Sequence, residues 1–437
     1  MTFQMYLCLA IFVFLIAGYV FAKQLHMTLG VVAMCAIALT SFSGIVPAKS
    51  VLANFANSNV ILIISMFIVS AAFGKTQTVH KLSQLVYKVS KGSFTIMLAG
   101  YCFIAFMLTQ LIPSPVVVFT IVSPLLSMSC DAMDVSPSRA MFSLGLVGVS
   151  SIGILPLGSG AITFAQQNGY LESYGYTEYQ MNLLDPFIGR FPIAVVVFLY
   201  AIFIAPKMAP AQPTVAISLK TGGKSKGDGK EAPQLDPVRE VLGYLIFAVT
   251  TILLIFSSNL GLSGWQVAFA GASIAVATGV LTPKEAIDAI PMRIALMQIA
   301  AYAVGGAMTE CGLGQLIGDT FAAVIGRTSN GYVIGAAFFL VPFVLTQFMN
   351  NTSVINIFTP ILILTCKSLG CNPIGPLLLL MAGALTAFMT PMATGTIAPM
   401  MGAGGYDQAD LFKMGWLPSL IISVVAIFYV MTVFPAF

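Results

Sequence analysis

Four short segments hold the residues best suited to chemistry: Ser114-Pro115-Val116, Asn350-Asn351-Thr352, and the loops 155–161 (LPLGSGA) and 390–396 (TPMATGT). They combine a helix breaker, glycine or polar break with hydroxyl or amide side chains. Where such a segment interrupts a helix, the half-helix that follows offers unpaired N–H groups and a positive dipole end to a carboxylate or other oxyanion. The half-helix that precedes it exposes carbonyl oxygens, which suit a cation such as Na⁺. Small residues at the break let backbone approach a ligand closely. One such break is explained by proline kinking a packed helix, but four at matching positions, carrying Ser, Thr and Asn, favour a binding function.

The elements that must carry these segments are apolar. Of 437 residues, 58% are apolar and 8% charged, which excludes a water-soluble globule. Barrel-type alternation of polar and apolar residues is absent, so the chain is expected to be an all-α polytopic membrane protein. Uncharged stretches predict spans near 4–22, 28–46, 58–74, 139–155, 188–206, 241–257, 264–281, 293–309, 375–390 and 415–435. Two further stretches without charge, 92–130 and 328–366, are broken in the middle by Pro113-Ser114-Pro115 and Asn350-Asn351-Thr352. Each is expected to be a re-entrant helical hairpin with its tip buried in protein.

The halves resemble one another. A shift of 236 places Pro47 on Pro283, Ser114 on Asn350 and Pro124 on Pro360, and a shift of 235 places Pro156 on Pro391 and Gly160 on Gly395. The organisation expected is a first repeat at 1–206 (hairpin 92–130, broken helix 139–166), a hydrophilic linker at 207–240, and a second repeat at 241–437 (hairpin 328–366, broken helix 375–401). Five spans and a hairpin per repeat make the repeats inverted. With the linker inside, fifteen Lys and Arg lie on the inner side and only Lys49, Arg190, Arg327 and Lys367 outside. The expected placement is the inner (plasma) membrane, both termini outside and 207–240 cytoplasmic. The first residues lack a basic n-region and a cleavage site, so a retained first span is expected.

Seven scattered cysteines and two distant histidines indicate neither a disulfide framework nor a metal centre. Nothing points to nucleic acid. No charge sits in the middle of a span, so a proton relay of acidic residues is not expected, and Glu310, Arg293, Arg190 and the pair Asp410/Lys413 fall near span ends, at headgroup level. An intramembrane enzyme would need paired acids, a zinc motif or a Ser/His dyad at membrane depth, and none is present, so no enzyme is expected. A channel has little use for inverted halves. What fits is a secondary active transporter of a small anion; coupling to Na⁺, coupling to protons and anion exchange all agree with the pattern.

Most of the chain resembles the divalent anion:sodium symporters of the ion transporter superfamily, which resemble solute carrier family 13 and carry dicarboxylates, citrate or sulfate. Asn350-Asn351-Thr352 with Pro360 is similar to that family's Ser-Asn-Thr hairpin tip with a proline ten residues on, and Ser114-Pro115-Val116 with Pro124 keeps the Ser and the spacing. Residues 391–397 (PMATGTI) and 402–415 (GAGGYDQADLFKMG) are similar to the family's later loop, and 156–162 is its first-half counterpart. Both halves replace the family's Pro-Pro-Asn. The resemblance implies a homodimer working by an elevator-type mechanism, with Na⁺ as coupling ion and no other metal or cofactor. It implies one Na⁺ near Ser114, Gly158 and Gly160, a second near Asn350, Ala393 and Gly395, and the substrate between the tips on Ser114, Ser159, Asn351, Thr352, Thr394 and Thr396.

Overall fold

The computed structural model describes residues 2–21, 26–76, 86, 90, 92–217, 235–257, 260–290, 292–324, 330–347, 351–390 and 393–437. Among them the regular structure is entirely helical. The first half runs through α1 (Phe3–Phe21), α2 (Leu29–Phe42), α3 (Ala48–Ala53) and α4 (Ser58–Gly74) to a hairpin of α5 (Phe94–Leu111) and α6 (Pro115–Ala132). It continues as α7 (Met141–Ser150), α8 (Gly158–Ser173), α9 (Asp185–Phe203) and α10 (Ala205–Met208). In the second half α11 (Pro237–Ile255), α12 (Gly264–Ala277), α13 (Pro283–Asp288), α14 (Met292–Glu310) and α15 (Leu313–Val324) lead to a hairpin of α16 (Gly331–Thr346) and α17 (Asn351–Leu369). Then follow α18 (Ile374–Leu385), α19 (Ile397–Gly404) and α20 (Gln408–Val433).

Local chemistry starts several of these elements. Thr282 and Glu285 form a reciprocal capping box around Pro283 at α13, and Asp407 with Asp410 does the same for α20. Proline occupies the first turn of α6, α11 and α13, where its missing N–H costs nothing.

Seven helices among the described residues are long and apolar enough to cross a membrane; four of them cover expected spans, where ten were expected, and three are arms of the hairpins. The difference has a physical source: several expected spans are shorter. The 14 residues of α2 reach ~21 Å at 1.5 Å per residue, less than a ~30 Å hydrocarbon core. The expected span 139–155 stops at Ser150 after 10 helical residues, and the chain re-enters helix at Gly158. Residues 158–161, expected in a loop, are thus the first turn of α8. Helix α15 was not anticipated; with α14 it forms a pair bent by 92°.

Large apolar side chains lie exposed in stripes along single helix faces. Phe412, Trp416, Leu420, Val424 and Phe428 line α20, and Ile188, Phe191, Val195, Leu199 and Phe203 line α9. Such stripes suit contact with lipid tails, whereas water would disfavour them.

The halves interlock. Helix α4 packs on α12 and α8, α14 packs on α2 and α8, and α9 packs on α20. One end of the bundle gathers Met5 beside Gly312, Tyr176 bonded to the Cys371 carbonyl (2.7 Å), Lys367 bonded to the Gly175 carbonyl (2.8 Å), and Asn372 bonded to the Ala436 carbonyl (2.8 Å). At the other end Lys75 pairs with Glu285 (2.7 Å), Ser138 bonds the Pro210 carbonyl (2.8 Å), and the N–H groups of Thr214 and Val215 bond Gly405. The first hairpin opens toward the second of these ends, at Ser138. The second hairpin opens toward the first end, at Lys367.

Candidate functional site

Each hairpin arm that runs inward ends in Thr-Gln, and each glutamine holds open the break of a neighbouring helix. Gln110, the penultimate residue of α5, is fully buried. Its Nε2 donates to the carbonyls of Phe106 (2.9 Å) and Ser151 (2.7 Å), while Oε1 accepts from the N–H groups of Ile154 and Leu155 (both 3.0 Å). Gln347 follows the last residue of α16. Its Nε2 donates to the carbonyls of Phe343 (3.1 Å) and Thr386 (2.7 Å), and Oε1 accepts from Met389 N–H (3.2 Å). A break inside a membrane leaves backbone groups that lipid cannot satisfy. One planar amide, with two donors and an acceptor, satisfies both sides of the break at once.

Hydroxyl groups tighten the same joints. Ser159 donates to the carbonyls of Thr109 (2.6 Å) and Gln110 (3.0 Å). Thr390 donates to the Gln347 carbonyl, and Thr346 bonds both the Ala384 carbonyl (2.8 Å) and Asn351 Oδ1 (3.1 Å). Gly158 has no room for a side chain, because a Cβ there would lie 2.8 Å from Ser70 Oγ and 2.9 Å from the Leu111 carbonyl.

The first tip also meets the second break. A Cβ on Gly395 would stand 3.2 Å from Val116 Cγ2. Farther along, Asn356 of α17 accepts hydrogen bonds from Gln166 (3.1 Å) and Tyr170 (2.8 Å) of α8. Each hairpin therefore touches the broken helix of the other half as well as its own.

The sequence-derived residues fall as follows. Ser114 is the half-buried residue before α6, with its N–H on the Ile112 carbonyl (2.8 Å). Gly158, Ser159 and Gly160 form the buried first turn of α8, beside the end of α5. Asn351 and Thr352 open α17 and are half-buried. In the second break Ala393 is buried, Thr394 half-buried and Gly395 exposed. Thr396, at the start of α19, is fully buried and its hydroxyl has no partner among the described residues. Asn350 and Pro391 lie outside the described residues. The structure brings Ser114 close to the Val116–Gly395 contact, and Ser159 to the Gln110 joint. The Ser159 hydroxyl is already engaged by two carbonyls.

Three residues were missed or misread from sequence: Gln110, Gln347 and Arg190. The signal for the glutamines was the repeated Thr109-Gln110 and Thr346-Gln347, just ahead of each tip. Arg190 is not solvated as its place near a span end suggested: it is 2% exposed, on the α9 face opposite the apolar stripe, with Nη2 3.2 Å from the Ser150 carbonyl.

Comparison with known proteins accords with this geometry. A family model described as "Citrate transporter" matches residues 9–265 and 252–437. An uncharacterized transporter of Haemophilus influenzae is 29% identical over 209 residues, covering 44% of each chain. Solute carrier family 13 member 2 of mouse is 25% identical over 142 residues, covering 32% of this chain and 24% of its own. The sodium-dependent high-affinity dicarboxylate transporter 3 of Caenorhabditis elegans is 24% identical over 142 residues, covering 32% of this chain and 25% of its own. The chain thus matches less than half the length of these curated relatives. Among solved structures, MtrF of Neisseria gonorrhoeae, described as one of a class of antimetabolite efflux pumps, aligns with a TM-score of 0.57 at 15% identity, covering 89% of this chain and 84% of its own. That likeness concerns the fold, and the solute carrier relatives agree with the resemblance drawn from the hairpin tips. With a family model matched along nearly its whole length, the chain belongs to the citrate transporter family.

Proposed function

We propose that the protein is a secondary active transporter of a small di- or tricarboxylate or related anion, and that Na⁺ is its coupling ion. The observation that carries this reading is the pair of Thr-Gln joints: two helical hairpins, each fastened to a broken helix, with Val116 of the first hairpin against Gly395 of the second broken helix. Midway along the bundle, half-helix ends supply N–H dipoles for an anion and carbonyls for a cation without a charged side chain at the tips.

In this reading 1–206 and 241–437 are inverted repeats joined by the linker 207–240, which is cytoplasmic, with both termini outside. The opposite opening of the hairpins supports that assignment. Anion contacts come from Ser114, Asn351, Thr352, Thr394 and Thr396, with the N–H groups of α8 and α19. Ser159 is held by carbonyls, so its share is to position the first turn of α8. Na⁺ at the second break lies near Asn350, Ala393 and Gly395. The hairpins and broken helices move as one body against α1, α2, α4, α11, α12 and α14 in an elevator-type cycle, in a homodimer of the inner membrane.

The test is uptake of labelled citrate, succinate, malate and sulfate into proteoliposomes, with Na⁺ replaced by choline at fixed pH. Uptake and counterflow that need Na⁺ are expected. Uptake that survives in choline and follows a pH gradient would assign coupling to protons, and absence of counterflow for every anion would remove the transport reading.

A further inference from the structure

Arg190 is a cation that should not be where it is. It sits on a helix whose other face carries lipid-facing apolar side chains, and it points inward, 2% exposed. Among the described residues the Lys or Arg paired with a carboxylate is Lys75, with Glu285, so no acid neutralises Arg190. Its hydrogen bond goes to the carbonyl of Ser150, the last residue of α7. A half-helix presents the negative end of its dipole there, and a buried positive charge is stabilised by that end.

The break leads into the Gly158–Gly160 turn, near which a bound cation was expected, and four carbonyls around it are already engaged. The Ser150 carbonyl holds Arg190, the Ser151 carbonyl holds Gln110 Nε2, and the Thr109 and Gln110 carbonyls hold the Ser159 hydroxyl. At the second break the carbonyls of Ala384, Thr386 and Gln347 accept from neutral groups only: Thr346, Gln347 and Thr390. The sequences repeat the contrast. Aligning the two lipid-facing stripes puts Phe191, Val195, Leu199 and Phe203 of α9 on Trp416, Leu420, Val424 and Phe428 of α20, so Arg190 falls on Gly415, which carries no charge and faces Met389 of the second break.

Resting on the transport reading above, we propose that Arg190 is the permanent cation of the first break: it takes the place of a coupling ion there, so the only exchangeable coupling cation binds at the second break. The guanidinium balances the anion's charge from that side in every step of the cycle. Arg190 acts through the break it holds and is a positioning residue.

The experiment measures citrate and succinate uptake into proteoliposomes by wild type, Arg190→Lys and Arg190→Ala, with Na⁺ titrated and guanidinium chloride added or omitted. Size-exclusion profile and melting temperature report folding. For wild type a Hill coefficient for Na⁺ near 1 is expected. Arg190→Ala should lose about tenfold or more in uptake and recover with guanidinium, because the small cation refills the vacated position. Arg190→Lys, which keeps the charge and loses the fork, should retain more uptake than Arg190→Ala. Two or more Na⁺ per anion in wild type would overturn the proposal regardless of how the variants fold. So would a folded Arg190→Ala whose uptake ignores guanidinium. Wild-type uptake without any Na⁺ dependence would count against sodium coupling alone, and guanidinium rescue would still decide the role of Arg190.

Discussion

Gln110 and Gln347 make matching hydrogen bonds in opposite halves of the protein: one back to the carbonyl four residues earlier, one to the first carbonyl past the end of a broken helix, and acceptance from N–H within the break, two groups for Gln110 and one for Gln347. The hairpins are thereby fixed to the very backbone that would meet the ligand. Positioning of this kind sets affinity more than any single contact at the tip.

Truncating either glutamine leaves a buried carbonyl and at least one N–H unpaired, a cost of ~1–3 kcal/mol for each group left so. Gln110→Ala and Gln347→Ala should each lower the melting temperature by several degrees and reduce uptake. Unchanged melting curves would mean the joints are dispensable.

The contact between Gly395 and Val116 makes a suppressor testable. Gly395→Ala crowds Val116 Cγ2 at 3.2 Å, so it should separate tip from break and impair uptake. Val116→Ala alone should change apparent affinity little, and combined with Gly395→Ala it should restore much of the loss. A double variant as poor as Gly395→Ala would show that another collision is responsible.

The tips should respond unequally to loss of polar groups. Asn351 and Thr352 carry an amide and a hydroxyl, whereas Pro115 and Val116 offer no side-chain hydrogen bond. A hydrogen bond to a charged group contributes ~1.5–3 kcal/mol, so Asn351→Ala or Thr352→Ala should weaken apparent anion affinity by roughly one to two orders of magnitude. Concentration dependence of initial uptake measures this, and equal losses from Val116→Ala and Thr352→Ala would place the anion elsewhere.

A pH effect is expected outside the membrane. Hydrogen bonding from Lys75, helped by Thr282, holds the Glu285 carboxyl near pKa about 2, down from 4.5. A depressed carboxyl stabilises the folded state above its unfolded value and loses that contribution as pH falls toward the folded one. Wild type should therefore melt slightly higher than Glu285→Gln above pH 4.5, and the gap should close between pH 4.5 and 2. The effect is small because the pair is partly exposed and solvent screens it. A gap that widened on acidification would contradict the assignment.

Sidedness gives the last test. A tag inserted in 216–232 should react only from the cytoplasm, and tags at either terminus only from outside. Labelling of the linker from outside would reverse the proposed orientation.

The helix pairs α5–α6 and α16–α17 were legible in the sequence because an uncharged run twice the length of a span, with a helix breaker or polar cluster in its middle, divides there into two helices. The glutamine joints were not, for a reason of register. Gln110 stands fourteen residues before Pro124 and Gln347 thirteen before Pro360, so the shift of 236 that aligns the prolines puts Gln110 one place out of step. Arg190 was misread because distance from a span end is a poor guide to direction. The apolar stripe through Ile188, Phe191, Val195, Leu199 and Phe203 leaves position 190 on the other face, toward protein. The shortness of α2 and α7 could not be read from hydropathy, which does not sense where a helix stops within an apolar run.

The interlocking of the halves bears on how the protein is made. Helix α4 finds its packing partner in α12, α2 finds its own in α14, and Asn356 is needed to occupy Gln166 and Tyr170. A ribosome that has delivered residues up to the linker has therefore inserted helices whose best surfaces still await chain not yet synthesised. The first half must persist in the bilayer as an open clasp, and folding proper begins when the second half arrives to close it.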